Sequence, residues 1–500
     1  MKKKEKDKEK EKIYRKPSPG FAALVFVVIL AFLGIGLGVI GIGLSTLLLL
    51  SWIIMFAVGY YLKYTFEDME KMMYDMMRRV MQPAIILLCV GALIGTWTAS
   101  GTVPFIIYHG LNWINPGFFY LIAAIVCVIT SLATGTSWGT IGTVGVALIA
   151  VGESMGLPLG LVAASIICGA FCGDKLSPLS DTCNIASALS GSKLMVHIRH
   201  LMWTTLPAFF ITLILFTILG LRGGTDNYDA STVELVTNSL TDMFNLGWVT
   251  ILPAVIVIGM LLFGMPPVLS ILIGAISGGL VAIFYQDVEL LTILDYMMNG
   301  YVADSGNDFI NELLTGGGVS SMWSTIGIIL FACGLGGMLS GFGILDAMLE
   351  PVVKRLNSAG KAILATMGIG YATNMIGSSN LAMVVTATVM QPVFKKLRIR
   401  PENLSRTIED SVTMSCFLIP WNTGAIYASG VLGVAATEFA PWCFLGYITP
   451  IFTIIYLITG FAICKLKDGE EYGESQEYHW KKEKNRNCRS IENMKEKNYV

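Results

Sequence analysis

Charge is what this chain has least of. Only 14% of its 500 residues are Asp, Glu, Lys or Arg, against 54% hydrophobic, whereas soluble domains carry about a quarter charged residues. With a mean hydropathy of +0.66, that shortage excludes an ordinary water-soluble protein and points to an integral membrane one. A basic face is missing as well. Of the 34 Lys and Arg, nine sit in residues 2–16 and nine in residues 465–500, short tails that also carry acids, so no nucleic-acid partner is expected. Histidine is scarce, with four in the chain. Cysteine is not, but apart from Cys488 the ten lie in or at the ends of apolar runs, as Cys89, Cys127, Cys168 and Cys333 do. They read as small buried hydrophobes, neither a disulfide frame nor a zinc cluster.

Long apolar runs are what the chain has instead. Residues 21–62 carry no charge over 42 positions, too many for the apolar region of a secretory signal. As helix, that run is about twice the hydrocarbon thickness, so it crosses and returns. Gly36, Gly38 and Gly41 spell G-x-G-x-x-G, yet no strand precedes them, and close helix packing explains them better than a dinucleotide site. Further apolar segments lie near 82–106, 116–133, 139–153, 157–191, 201–221, 247–263, 267–285, 322–343, 362–377, 380–394, 410–434 and 443–464. With the first pair they make fourteen, not all of which need be full spans. Between the tails, all basic residues but Lys175 and Arg222 fall in four connections, 63–79, 193–199, 354–361 and 395–406. The positive-inside rule assigns these to the cytoplasm, and stretches 223–246 and 286–321, which have acids but no Lys or Arg, to the outside. Both termini are then cytoplasmic and the protein spans the cytoplasmic membrane. Stretch 63–80 puts Phe66, Met69, Met73, Met76 and Val80 on one helical face, which predicts a helix lying along the membrane surface.

An internal repeat appears at an offset of 242. It carries Gly135-Thr136-Ser137 onto Gly377-Ser378-Ser379, Pro178 onto Pro420, Ala186-Ser187 onto Ala428-Ser429 and Gly191 onto Gly433. Five apolar segments per copy, separated by an even-numbered insert, give the second copy the opposite membrane orientation. The expected architecture is all-α and polytopic, with two inverted five-segment repeats holding broken or re-entrant helices, plus two accessory helix pairs. Its divisions are a charged tail (1–16), an N-terminal helix pair (17–62), the amphipathic helix (63–80), repeat 1 (82–221), outside loops around a helix pair at 247–285 (222–321), repeat 2 (322–464) and a second charged tail (465–500).

The chemistry concentrates in Gly173-Asp174-Lys175-Leu176-Ser177-Pro178-Leu179-Ser180-Asp181-Thr182-Cys183-Asn184, which places three charges in a segment otherwise apolar enough to span. An intramembrane charge costs roughly 2.5–3.5 kcal/mol on insertion scales and marks function by default. Pro178 removes a helix donor and biases Ser177 away from helix, so the helix breaks there. A break at membrane depth is tolerated where its backbone groups line a cavity or are re-satisfied by neighbours. Asp, Ser and Thr oxygens with carbonyls suit a small hard cation. Solvation at a helix end is the alternative for Asp174 and Lys175, and N-terminal capping the alternative for Glu409 and Asp410. In the second copy, Gly377-Ser378-Ser379-Asn380 and Trp421-Asn422-Thr423 interrupt apolar stretches. Gly135-Thr136-Ser137-Trp138-Gly139 matches the G-x-S-x-G pattern of a serine nucleophile. That chemistry needs a histidine base, and His109, His197, His200 and His479 all fall in expected loops or the tail, so no enzyme is expected.

These residues resemble the NhaC sodium/proton antiporters. The resemblance rests on Thr134 to Thr140, on the Gly-Asp-Lys-x-Ser-Pro-Leu-Ser-Asp-Thr string 173–182 with Asn184, and on Leu404 to Asp410 leading to Ile419-Pro420-Trp421-Asn422-Thr423. Cys183 stands where the family pattern has a second threonine. The resemblance implies two inverted repeats, often in a homodimer, and a carboxylate site that binds Na+ and H+ in competition; the family also contains exchangers of malate/lactate type or of amino acids. The expected ion or substrate site comprises Asp174, Asp181, Thr136, Ser137, Ser177, Thr182, Ser378, Ser379, Asn380, Asp410, Asn422 and Thr423, with Na+ at Asp181 first and Asp174 second and Lys175 as countercharge. The expected partners are the lipid bilayer, Na+ and H+, with a small organic acid as the alternative substrate, and no cofactor beyond the transported ions.

Overall fold

The computed structural model describes residues 14–223, 230–466 and 471–473; residues 1–13 and most of the second tail, with His479 and Cys488, lie outside them. The chain runs through α1 (Pro19–Ile35), α2 (Leu44–Tyr61), α3 (Phe66–Arg79), α4 (Met81–Ala99), α5 (Thr102–Trp113) and α6 (Phe119–Thr134). Then α7 (Ser137–Thr140) passes through a π-helical turn (Ile141–Gly145) into α8 (Val146–Ser154), and α9 (Leu159–Leu176), α10 (Asp181–Ser190) and α11 (Leu194–Gly223) follow. The middle holds α12 (Ala230–Met243), α13 (Leu252–Leu262), α14 (Pro267–Tyr285), α15 (Leu290–Asn299) and α16 (Asp308–Leu314). Next come α17 (Trp323–Gly341), α18 (Ile344–Val353), α19 (Ala359–Asn374), α20 (Ser379–Lys396) and α21 (Pro401–Ile408), which continues as a π-helical turn at Glu409–Thr413. The described chain closes with α22 (Thr423–Leu432), α23 (Ala436–Phe439) and α24 (Phe444–Thr459). Among the described residues there is no strand, only isolated bridges joining Tyr301 to Gly316 and Ile399 to Lys465. The protein is an all-α polytopic membrane protein.

Among the described residues, seven helices are long and apolar enough to cross a bilayer singly, and three bent pairs bring the total to ten: α4 with α5 at 70°, α12 with α13 at 95°, and α23 with α24 at 45°. Of the fourteen apolar segments, those at 139–153, 362–377, 380–394 and 410–434 are not among the ten, because none of them falls on a helix that is both long and apolar enough. The stretches read as outside loops contain helices too. In 286–321, α15 packs on α4, with Gly95 against the Tyr296 carbonyl, and Gly318 N donates to Gly91 O at 2.7 Å.

Two compact units emerge, one of residues up to Val80 with Leu330–Arg355, the other of Met81–Ile329 with the chain from Leu356 onward. In the first, α3 starts on a capping box in which Asp68 N donates to Thr65 Oγ1 at 3.3 Å and Thr65 N to Asp68 Oδ2 at 3.0 Å, satisfying two amides that the helix leaves open. Met69, Met73, Met76 and Val80 are buried and Phe66 is exposed. Met69 lies against Gly59 and Met76 against Gly337, so the apolar face read as membrane-lying is covered largely by protein. The early glycines also differ from expectation. Gly36 packs on Leu47, but Gly34 and Gly38 have nothing within 4 Å of a built Cβ; Gly36–Ile40 continues α1 as a π-helical turn, and Gly41, at φ 77°, ends it before α2.

Helix boundaries recur at the offset of 242. The pairs α4 and α17, α7–α8 and α20, and α10 and α22 begin and end in register, and α5 and α18, like α9 and α21, begin in register. Left-handed glycines fall at Gly101 and Gly343, at Gly135 and Gly377, and at Gly191 and Gly433. Positive φ costs an L side chain about 1–2 kcal/mol and a glycine nothing comparable, which is why glycine marks the same breaks in both copies. In the second unit, Gly173 of α9 faces the Val128 carbonyl and Leu132 amide of α6, where a Cβ would not fit. Its role is close packing.

Candidate functional site

Two breaks define the first half of the site. Helix α9 ends at Leu176, Ser177 is extended at φ −88° and ψ 132°, and α10 begins at Asp181 behind the Ser180 cap, as Pro178 dictates. Helix α6 ends at the left-handed Gly135, and Thr136 caps α7 by accepting from Gly139 N at 3.1 Å. The breaks touch, with Gly135 against Leu179, and Ser137 Oγ donates to Asp174 Oδ2 at 2.8 Å. Ser137, the candidate nucleophile, therefore serves a carboxylate.

The second copy repeats this crossing with neutral groups. Thr423 N donates to Gly377 O at 2.9 Å, Trp421 Nε1 to Met375 O at 2.8 Å, and Asn422 Nδ2 to Asn374 O at 2.8 Å and Oδ1 at 2.9 Å. Ser379 Oγ donates to Asn422 Oδ1 at 3.3 Å. Tyr427 OH reaches Trp138 O at 2.7 Å, tying α22 to α7.

Charge enters from α9 and from the π-helical turn after α21. Lys175 Nζ donates to Asp410 Oδ1 at 2.5 Å with both side chains fully buried. Asp410 also accepts from Thr204 Oγ1 at 3.0 Å and Thr453 Oγ1 at 2.7 Å. That gives Lys175 its partner and makes Asp410 a saturated counter-ion. Asp174 Oδ1 and both Glu409 oxygens, by contrast, are buried without a hydrogen-bond partner, and the two carboxylates are near enough to interact through their charges. Thr182 and Thr413 neighbour Glu409, and Ser180 neighbours Asp174. A π-helical turn widens the helix by one residue and is frequent at functional sites.

Several sequence expectations change here. Glu409 and Asp410 do not cap a helix: they follow α21 in mid-run and are fully buried. Stretch 395–406, read as a cytoplasmic connection, contains the buried Arg400 and Arg406. Arg400 Nε pairs with Glu402 Oε1 at 2.7 Å, and Arg406 donates to Ala462 O at 2.9 Å and lies 4.0 Å from Asp410. Among the described residues, Lys175 is therefore one of three buried cations. His197 and His200, assigned to a loop, are fully buried on α11, and His109 stacks among Phe105 and Trp248 on α5. Of the remaining expected residues, Ser177, Ser378 and Thr423 are buried, Thr136, Thr182 and Ser379 are intermediate, and Asp181 and Asn380 are exposed. Sequence reading passed over Glu409 as a site residue, and only its isolation in an apolar stretch signalled it.

The profile of the Na+/H+ antiporter family matches residues 14–183 and 169–461. Over 422 residues the chain is 37% identical to the malate-2H(+)/Na(+)-lactate antiporter of Bacillus subtilis (strain 168), covering 84% of this chain and 90% of that protein. It is 33% identical over 409 residues to the Na(+)/H(+) antiporter NhaC of Alkalihalophilus pseudofirmus, covering 81% and 88%. Similarity extends at 32% over 392 residues to the arginine/ornithine antiporter ArcD of Halobacterium salinarum, covering 78% and 81%.

Proposed function

Because the chain belongs to the Na+/H+ antiporter family, we propose that it exchanges Na+ for H+ across the cytoplasmic membrane, with Asp174 and Glu409 as the carboxylates for which the two ions compete. One observation carries this reading. Among the described residues, the buried charges are Asp174, Glu402, Glu409 and Asp410 against Lys175, Arg400 and Arg406. The cluster is short of one positive charge, and the bare oxygens belong to Asp174 and Glu409. A buried negative charge is costly until neutralised, and either Na+ or a proton neutralises this one. They do not share the same oxygens, so loading one releases the other. Ser137, Ser180, Thr182 and Thr413 supply neutral oxygens, which suit a hard cation. The two crossings repeated at the 242 offset support an inverted pair of repeats rocking about the site.

A second reading, exchange of a small organic acid, has support in the relative named as a malate/lactate antiporter and in the helices that begin at the breaks. N-terminal amides at Thr136, Ser180, Ser378 and Asn422 favour an anionic group. The buried cations favour cation exchange alone, since Lys175 and Arg400 are already held by carboxylates. The test is purified protein in liposomes with an internal pH dye and a Na+ gradient without organic acid. Na+-driven proton movement that disappears in Asp174→Asn and Glu409→Gln is the expected result. Protons that stay still until malate or lactate is added would establish the second reading.

A further inference from the structure

Cys183, His197 and Glu409 come from three elements, α10, α11 and the π-helical turn after α21, and meet at one point. Their ligand atoms lie within 4.8 Å of one another and all three residues are fully buried. Neither nitrogen of His197 and neither oxygen of Glu409 has a hydrogen-bond partner. Leaving such groups buried and unpaired is costly, a cost that a bound ion removes. Na+ is a poor match for the trio, because thiolate and imidazole are soft or borderline ligands. Thiolate, imidazole and carboxylate together are a donor set for zinc, and three protein ligands leave its fourth position open.

We propose that Cys183, His197 and Glu409 bind one zinc-class divalent cation, and that its occupation withdraws Glu409 from Na+ and H+. Charge supports the valence. Cys183 Sγ donates to Lys175 O at 3.1 Å; binding releases that thiol proton to solvent, leaving a buried cluster two negative charges in excess, which one divalent ion balances. Zinc–ligand distances of about 2.0–2.3 Å require the three side chains to draw together on binding. The blocking of transport rests on Glu409 being an exchange carboxylate; the metal site does not.

Co2+ serves as the probe on the full-length protein in detergent, since a cobalt–thiolate bond absorbs in the near ultraviolet. One Co2+ per chain, a thiolate band displaced by Zn2+, and loss of the band in Cys183→Ser with weaker binding in His197→Ala are expected. Cys172→Ser, on α9 outside the trio, keeps the band. No bound Co2+, or a band unchanged in Cys183→Ser, overturns the site. Displacement by Zn2+ in the unsubstituted protein keeps the test decisive if a variant does not fold. In liposomes, Zn2+ is expected to lower Na+-driven proton movement. Stoichiometric Co2+ in a protein that moves no protons under a Na+ gradient would sink the antiport reading alone, whereas exchange without metal binding would sink this site alone.

Discussion

The two broken arms α9–α10 and α21–α22 share a backbone plan and divide the chemistry. Both start in register, both stop before a proline, and both resume as a ten-residue helix behind a polar cap. At the offset of 242, however, Asp174 corresponds to Cys416, while Glu409 and Asp410 correspond to Ile167 and Cys168. Apart from Asp181, which corresponds to Thr423, each arm is charged where the other is apolar or a thiol. Backbone geometry was thus free to repeat, because helix starts and left-handed glycines depend on local residues, whereas two facing sets of equal charges would have doubled the uncompensated charge inside the membrane.

The largest test of that division is Lys175→Met, which leaves Asp410 buried without its ammonium. A cost of about 3–5 kcal/mol is expected, read as a marked fall in melting temperature in detergent. Adding Asp410→Leu should restore part of the loss. Next comes function: Asp174→Asn and Glu409→Gln should each abolish Na+-driven proton movement, while Asp181→Asn, at an exposed position, should retain it. Loss of exchange in Asp181→Asn alone would move the ion site to the start of α10.

Smaller effects compare the breaks themselves. Gly135→Ala must adopt positive φ and also press on Leu179, whereas Gly433→Ala at φ 69° meets nothing within 4 Å. The second should cost about 1–2 kcal/mol and the first more, both read from thermal melting. Last are the caps. Ser180→Ala should cost about 1 kcal/mol, and Asn422→Ala more, since Asn422 also bonds Asn374 and Ser379. Equal losses would show that the second crossing is held by backbone contacts alone.

Much of the site's frame was legible in the sequence. Pro178 predicted the end of α9, Gly135 and Gly377 marked the paired breaks, and Asp174 and Lys175 stood out as charges in an apolar run. His197 and His200 were misassigned to a loop, and the burial of Arg400 and Arg406 was not anticipated, for one reason: charged or titratable residues in short polar stretches read as connections, and burial was supplied by neighbours far along the chain. Arg400 is held by Glu402, and Arg406 by Ala462 O and by its proximity to Asp410. The methionine face of α3 was recognised, but amphipathicity reports an apolar partner without saying whether that partner is lipid or protein.

By itself the sequence determined the membrane class, the apolar segments, the breaks and their repetition, because hydropathy, proline and glycine act locally on the backbone. Only the tertiary structure decided which carboxylates are bare. Lys175 meets Asp410 across 235 residues, and that pairing, together with Thr204 and Thr453, saturates one acid and leaves Asp174 and Glu409 with free oxygens. Electrostatic pairing in a buried interior is set by distance in space, and no local pattern in the chain encodes that distance.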